Sequence, residues 1–439
     1  MPASTQSPAA PAALAAPVAA PRASLLRDPR LRGLFYQCVL LALVIGVGVE
    51  FALNAKANLE AQRIATGFGF LDNTAGFGVN QTLIPYQESD SYGRVFLVGL
   101  LNTLLVAVLG IVFATVIGFA VGIARLSSNW LLARLAGVYV EVIRNQPLLF
   151  QILFWYLAVL GAMPPPRQSV GVGLQPILLW LADGAATLRV LGGIEAGLRL
   201  TADWIGPPMI YLNNRGMVLP EPSLHAGASA VGLAVVVAIA ATIALRLWAR
   251  RRQAATGRPF PMLAVGIALI VGLPLLVTAI VGSPLALERP VLRGFNFSAG
   301  VRLIPELVAL LIALSTYTAA FIAEIVRAGI EAVAKGQTEA AQALGLSRAQ
   351  ALRFVVIPQA MRVIIPPLTS QYLNLTKNSS LAVGIGYPDL FAVFAGTTLN
   401  QTGQAIEILG ITMAVYLVIS LATSAAMNAY NARIALRER

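Results

Sequence analysis

The sequence predicts an all-α, polytopic membrane protein with about eight transmembrane helices, and three observations lead there. Of its 439 residues, 57% are hydrophobic and only 11% charged, with a mean hydropathy of +0.76; soluble domains carry about 25% charged residues. Apolar runs recur at the ~20-residue length that a bilayer core requires. The 31 basic residues are spread unevenly between those runs: 19 fall on one predicted side, 10 on the other and two within spans. The positive-inside rule places the richer side, with both chain ends, in the cytoplasm.

Composition also excludes several classes. A net charge of +12 would suit a nucleic-acid binder, but the arginines are scattered between apolar spans and form no stripe, so no nucleic-acid partner is expected. Cys38 is the single cysteine and His225 the single histidine, which leaves neither a disulfide framework nor a histidine cluster for a metal. The only lysines are Lys56, Lys335 and Lys377, and none follows a glycine. The Gly-Lys-Ser/Thr end of a phosphate-cradling loop is therefore absent, and ATP hydrolysis by this chain is not expected.

Taken in order, residues 1–33 form a tail rich in Ala, Pro and Ser, expected to be disordered and cytoplasmic; its prolines argue against a cleaved signal helix. Segment 34–93 holds a first span (34–53) and a polar outer stretch. Segment 94–160 holds an uncharged second span (95–124) and a third (131–160) that contains Arg134, Glu141 and Arg144. Segment 161–300 begins with a stretch of mixed character. Its apolar run 176–182 is too short to cross and suits an interfacial helix. Spans at 226–247, ended by Arg250, Arg251 and Arg252, and at 262–282 follow. Segment 301–439 holds a sixth span (303–326), a polar island (335–358) and a seventh span (363–384) opened by Pro366 and Pro367. A short dipping helix (387–396) and an eighth span (405–427) complete it.

The polar island is the most informative stretch. Thr338 is expected to start a helix, and Gly345 to close it in the left-handed conformation that glycine enters without penalty. Ser347 and Gln350 have the spacing of a capping box, which restarts a helix at once. Pro358 stands where that helix meets the bilayer. The product is a bent unit in water whose small alanines allow a partner's surface to approach closely.

Glu339, Ala340 and Ala341, then Gly345, then Val355, Ile357 and Pro358 resemble the EAA loop of ABC importer permeases, with Val355 and Ile357 in places where that family usually has Ile and Leu. YVEVIRNQPLLFQILFWY (139–156), TYTAAFIAEIVRAGI (316–330) and LNLTKNSSLAVGIGYPDL (373–390) resemble core helices of the polar amino-acid subfamily. IYLNNRGMVLP (210–220) resembles its enlarged glutamate-type and general L-amino-acid members. The resemblance implies a type I importer core of five helices, here the second, third, sixth, seventh and eighth spans, with three spans added. It also implies partners: a second, usually related permease, two ATPase subunits that use ATP and Mg²⁺, and a periplasmic amino-acid-binding protein. The loop would be the coupling helix that docks on the ATPase, and the location the bacterial inner membrane.

Charged residues within spans are costly, roughly 2.5–3.5 kcal/mol on the insertion scale, and normally face protein or a watery cavity. Glu141 with Arg144, and Glu324 with Arg327, are each three apart and suit helix pairing or an inner gate. Lys377 has no local acidic partner; with Asn374, Asn378, Ser379 and Ser380 it is the candidate substrate path. The two serines have no His or acid beside them, so hydroxyls bonding a helix carbonyl or lining a path are preferred to a nucleophile. Phe154, Trp155 and Tyr156 suit an interfacial belt. The competing class is an ion-gradient-driven transporter or channel. It would show paired broken helices in its two halves, and the polar seventh span has no evident counterpart.

Overall fold

Hydrogen-bond economy in a bilayer leaves helices as the spanning elements, and the computed structural model is mostly helical. It describes residues 29–61, 66–187, 198–201, 207–225, 227–257, 260–281 and 285–434. Most of the expected N-terminal tail and the arginines at 437 and 439 lie outside them. Among the described residues, seven helices are long and apolar enough to cross a membrane.

The chain divides after Gly67. In the first unit, helix α1 (Pro29–Ala61) contains the predicted first span and begins a few residues ahead of it. The second unit, from Phe68, contains α2 (Tyr92–Arg125), α3 (Trp130–Arg144) and α4 (Leu148–Leu160). The third predicted span is thus not one helix. Asn145 ends α3 and Pro147, in extended conformation, precedes α4, because a residue before proline is pushed out of the helical region. The first half does contain a broken segment, contrary to expectation.

Next come α5 (Leu174–Thr187), which takes in the short apolar run, and the two added spans α6 (Ala228–Thr256) and α7 (Met262–Val281). Short strands interrupt this stretch, and the all-α expectation did not include them. Strands β1 (Val170–Val172), β2 (Ile210–Asn213), β3 (Gly216–Leu219) and β8 (Val301–Leu303) form one antiparallel sheet in that order. Strands β4 (Glu221–Leu224) and β5 (Leu285–Glu288) pair, as do β6 (Val291–Arg293) and β7 (Asn296–Ser298). Helix α8 (Pro305–Glu331) leaves the sheet and ends at the polar island, where α9 (Lys335–Ala343) lies.

Helix α10 runs Arg348–Ile385. It starts well before the predicted span, so Pro366 and Pro367 lie inside it and do not open it. Each proline lacks the N–H that would bond the carbonyl four residues back; packing on α8 holds the helix continuous across this gap. The helical stretch 391–402, α11, starts four residues after the predicted short helix and runs six residues beyond it, and α12 (Ala405–Ile434) ends the described chain.

The core is the seam between α2 and α8. A β-carbon at Gly118 would stand 2.6 Å from that of Ile322, and one at Gly122 would stand 2.8 Å from that of Val326. Glycines four apart let two backbones approach where lipid supplies no hydrophobic drive. Gly99 does the same under Leu390 and Val393, which seats the start of α11 on α2.

Candidate functional site

The polar island forms a helical hairpin. Helix α9 begins at Lys335, three residues before the expected Thr338, so Glu339 sits in its second turn. The earlier start needs no side-chain cap: Ala334 is extended, and its carbonyl accepts from Gln337 N–H at 2.9 Å. Gly345 closes the helix at φ +80°. Leu346 N–H donates to the Ala341 carbonyl and Gly345 N–H to that of Gln342, at 3.1 and 2.9 Å, which completes a Schellman cap. Ser347 and Gln350 then form the capping box in both directions.

This arrangement sorts the motif residues. Glu339 and Ala340 are exposed, whereas Ala341 is buried where α9 packs on the start of α10 and so is not on the tip. Leu344 at the bend is 83% exposed and Phe354 on the second arm 61%, apolar side chains left uncovered among the described residues. The Gln359 amide donates to the Gln337 side-chain oxygen at 3.2 Å and ties the two arms.

A charge cluster lies on α8 ahead of the hairpin. Glu324 accepts from Arg327, as the spacing predicted, and also from Arg125 at the end of α2. Arg327 reaches on to Glu331. Arg125 could not have been found from sequence, since 199 residues separate it from Glu324. Glu141 and Arg144 do not pair with each other: the Arg144 guanidinium lies 5.0 Å over the Phe321 ring. All four predicted residues are nevertheless neighbours, because Glu141, Arg144, Glu324 and Arg125 wall a polar cavity of about 400 Å³ with Phe321, and Arg327 bonds Glu324 at its edge.

Lys377 stands near the end of α10, exposed and outside any described ion pair. It lines a cavity of about 410 Å³ with Ser380, Phe391, Thr412, Tyr416 and Ser420. Asn374, Asn378 and Ser379 are not in its wall. The Ser379 hydroxyl donates to the Thr376 carbonyl and that of Ser380 to the Lys377 carbonyl, both at 2.8 Å. Missed from sequence were Ser420, whose buried hydroxyl has no partner among the described residues, and Asp389. Asp389 caps α11 through Ala392 N–H at 2.8 Å and accepts the Tyr416 hydroxyl at 3.4 Å. Ser420 becomes visible only when α12 is laid against α10 and α11, whereas Asp389 had a local signal, an acid placed to cap the helix through Ala392 N–H. The Tyr156 hydroxyl donates to Glu306 at 3.0 Å, so this ring anchors α4 to α8.

Residues 256–436 match the family described as binding-protein-dependent transport system inner membrane component. The general L-amino acid transport system permease protein AapQ of Rhizobium johnstonii is 51% identical over 416 residues, 95% of each chain. The putative amino-acid ABC transporter permease protein YhdX of Escherichia coli is 50% identical, across 94% of this chain and 96% of that one. The glutamate/glutamine/aspartate/asparagine transport system permease protein BztB of Rhodobacter capsulatus is 41% identical, again across 94% and 96%. Such likeness, end to end, favours an ABC importer over a gradient-driven carrier. With its many apolar helices and its hairpin of EAA type, the chain is a multi-pass inner-membrane permease and belongs to the binding-protein-dependent family that these amino-acid ABC transporter permeases represent.

Proposed function

We propose that this chain is the permease subunit of an ATP-driven importer of L-amino acids in a bacterial inner membrane. The observation that carries the substrate class is the near-full-length identity to three permeases that are all named for amino-acid transport. The hairpin with exposed Glu339, Ala340 and Leu344 is the surface offered to a cytoplasmic ATPase. Two such ATPase subunits use the ATP and Mg²⁺, and this chain binds no cofactor. A second, related permease completes the membrane pair, and a periplasmic amino-acid-binding protein delivers substrate. Both chain termini are cytoplasmic, as the arginine bias requires.

Lys377 and Ser380 serve the substrate path: an ammonium without a described acidic partner in a largely apolar cavity favours a carboxylate. The Glu324 cluster holds α2 to α8 behind the hairpin, where a change at the ATPase would reach the bundle. The test is ATP hydrolysis by the reconstituted complex, which amino acid plus binding protein should stimulate. Hydrolysis indifferent to every amino acid would refute the substrate class. Cysteines placed at Gln253 and Asn214 in a Cys38-free background should label from opposite sides; labelling of both from outside would refute the orientation.

A further inference from the structure

Helix α8 has the sheet at its first residue and the coupling hairpin after its last. Its 27 residues separate the two by about 40 Å at 1.5 Å per residue. The sheet therefore occupies the end of the permease opposite the ATPase surface. Its strands have two unlike faces. Leu212, Met217 and Leu303 line an apolar cavity of about 320 Å³ against α2 and α8. Arg302, one position from Leu303 and opposite Val218, points the other way and is exposed.

Two more arginines join it. Arg215, in the β2–β3 turn, donates to the Asn296 side-chain oxygen at 2.6 Å, and Arg302 reaches the same oxygen at 3.5 Å. Arg167 lies 3.7 Å over the Phe295 ring and donates to the Gly294 carbonyl at 3.3 Å. Phe295 itself is 69% exposed. Three guanidinium groups are thus held on one hairpin by neutral acceptors and a ring, and most of their donors remain open. Among the described residues none of the three has a carboxylate partner. Glu221 and Glu288, the acids of the adjoining strands, face each other across the β4–β5 pair.

We propose that Arg167, Arg215 and Arg302, with Phe295 between them, form the docking surface for acidic side chains of the soluble binding protein. The inference rests on the importer reading above. The family is binding-protein-dependent, so a soluble protein must meet this end of the permease. Arginines beside an exposed aromatic ring are the composition of an interface hot spot. Guanidinium forks already oriented by Asn296 lose little freedom when a carboxylate binds them.

The experiment titrates the substrate-loaded binding protein against ATP hydrolysis by the complete complex in nanodiscs of uncharged lipid. Arg215→Glu/Arg302→Glu should raise the half-saturating concentration by about tenfold or more, as expected when charges at an interface are reversed. It should flatten the salt dependence and leave basal hydrolysis and the saturated rate unchanged. Arg215→Lys/Arg302→Lys should recover part of the loss. Half-saturation unaltered by the charge reversal overturns the assignment while leaving the importer reading intact. Failure of the binding protein to stimulate even the unmodified complex overturns the importer reading and this surface with it. An effect seen only in anionic nanodiscs overturns the protein contact in favour of a lipid headgroup contact.

Discussion

Helices α7 and α8 have opposite relations between composition and burial. Helix α7 is the more apolar, yet only 6% of its apolar window is buried in this chain; for α8 the share is 61%. The buried residues of α8 are largely small or hydroxylated, among them Ala309, Ala313, Ser315, Thr318, Ala319 and Ala323. No part of α7 after Gly266 is buried. In a bilayer, lipid rewards apolar side chains as well as protein does, so hydropathy marks a span without marking the core. Close backbone approach marks the core, and small residues permit it.

Breaking the α2–α8 seam should give the largest effect. Gly118→Leu forces a side chain into Ile322 and should destabilise the permease by about 3 kcal/mol, the upper end for overpacking. A β-carbon at Gly272 on α7 would meet nothing within 4 Å, and Gly272→Leu should stay within about 0.5 kcal/mol. Thermal midpoints in detergent compare the two; equal losses would show that burial in this chain does not separate core from added spans.

The hairpin comes next. Nothing lies within 4 Å of a β-carbon at Gly345, so the cost of Gly345→Val is conformational, about 1–2 kcal/mol for the left-handed backbone. Asparagine enters that region more readily. Gly345→Asn should therefore keep coupled transport, whereas Gly345→Val and Glu339→Lys lose it in complexes that still assemble. Wild-type uptake by both of the latter variants would remove the hairpin from coupling.

Glu324→Gln tests whether the seam is also tied by charge. The participating side chains are 18–29% exposed, so solvent screening limits the expected loss to about 1 kcal/mol. A double-mutant cycle with Arg125→Gln should show coupling between the two sites; additive losses would make the contact idle. Lys377→Met should affect stability as little as Gly272→Leu, within about 0.5 kcal/mol, because no described ion pair is lost. Its expected signature is reduced uptake with assembly and basal hydrolysis retained. Unchanged uptake of every amino acid would take Lys377 out of the path.

The sequence by itself determined what depends on neighbours along the chain. Apolar run length specified most of the spans but not the break at Asn145–Pro147, while Ser347 and Gln350 specified the cap and Gly345 the left-handed turn, each within a few residues. The Gly118-to-Gly122 spacing is equally local, but glycine in an apolar run carries no hydropathy signal to single it out. Tertiary structure alone decided the rest. Arg125 meets Glu324, Arg144 finds Phe321 in place of Glu141, and Ser420 closes a cavity on Lys377 only once distant helices pack. The sheet is of the same kind: β8 pairs with β3 across two intervening spans. A three-residue strand has too little local preference to announce itself without the partner that satisfies its backbone.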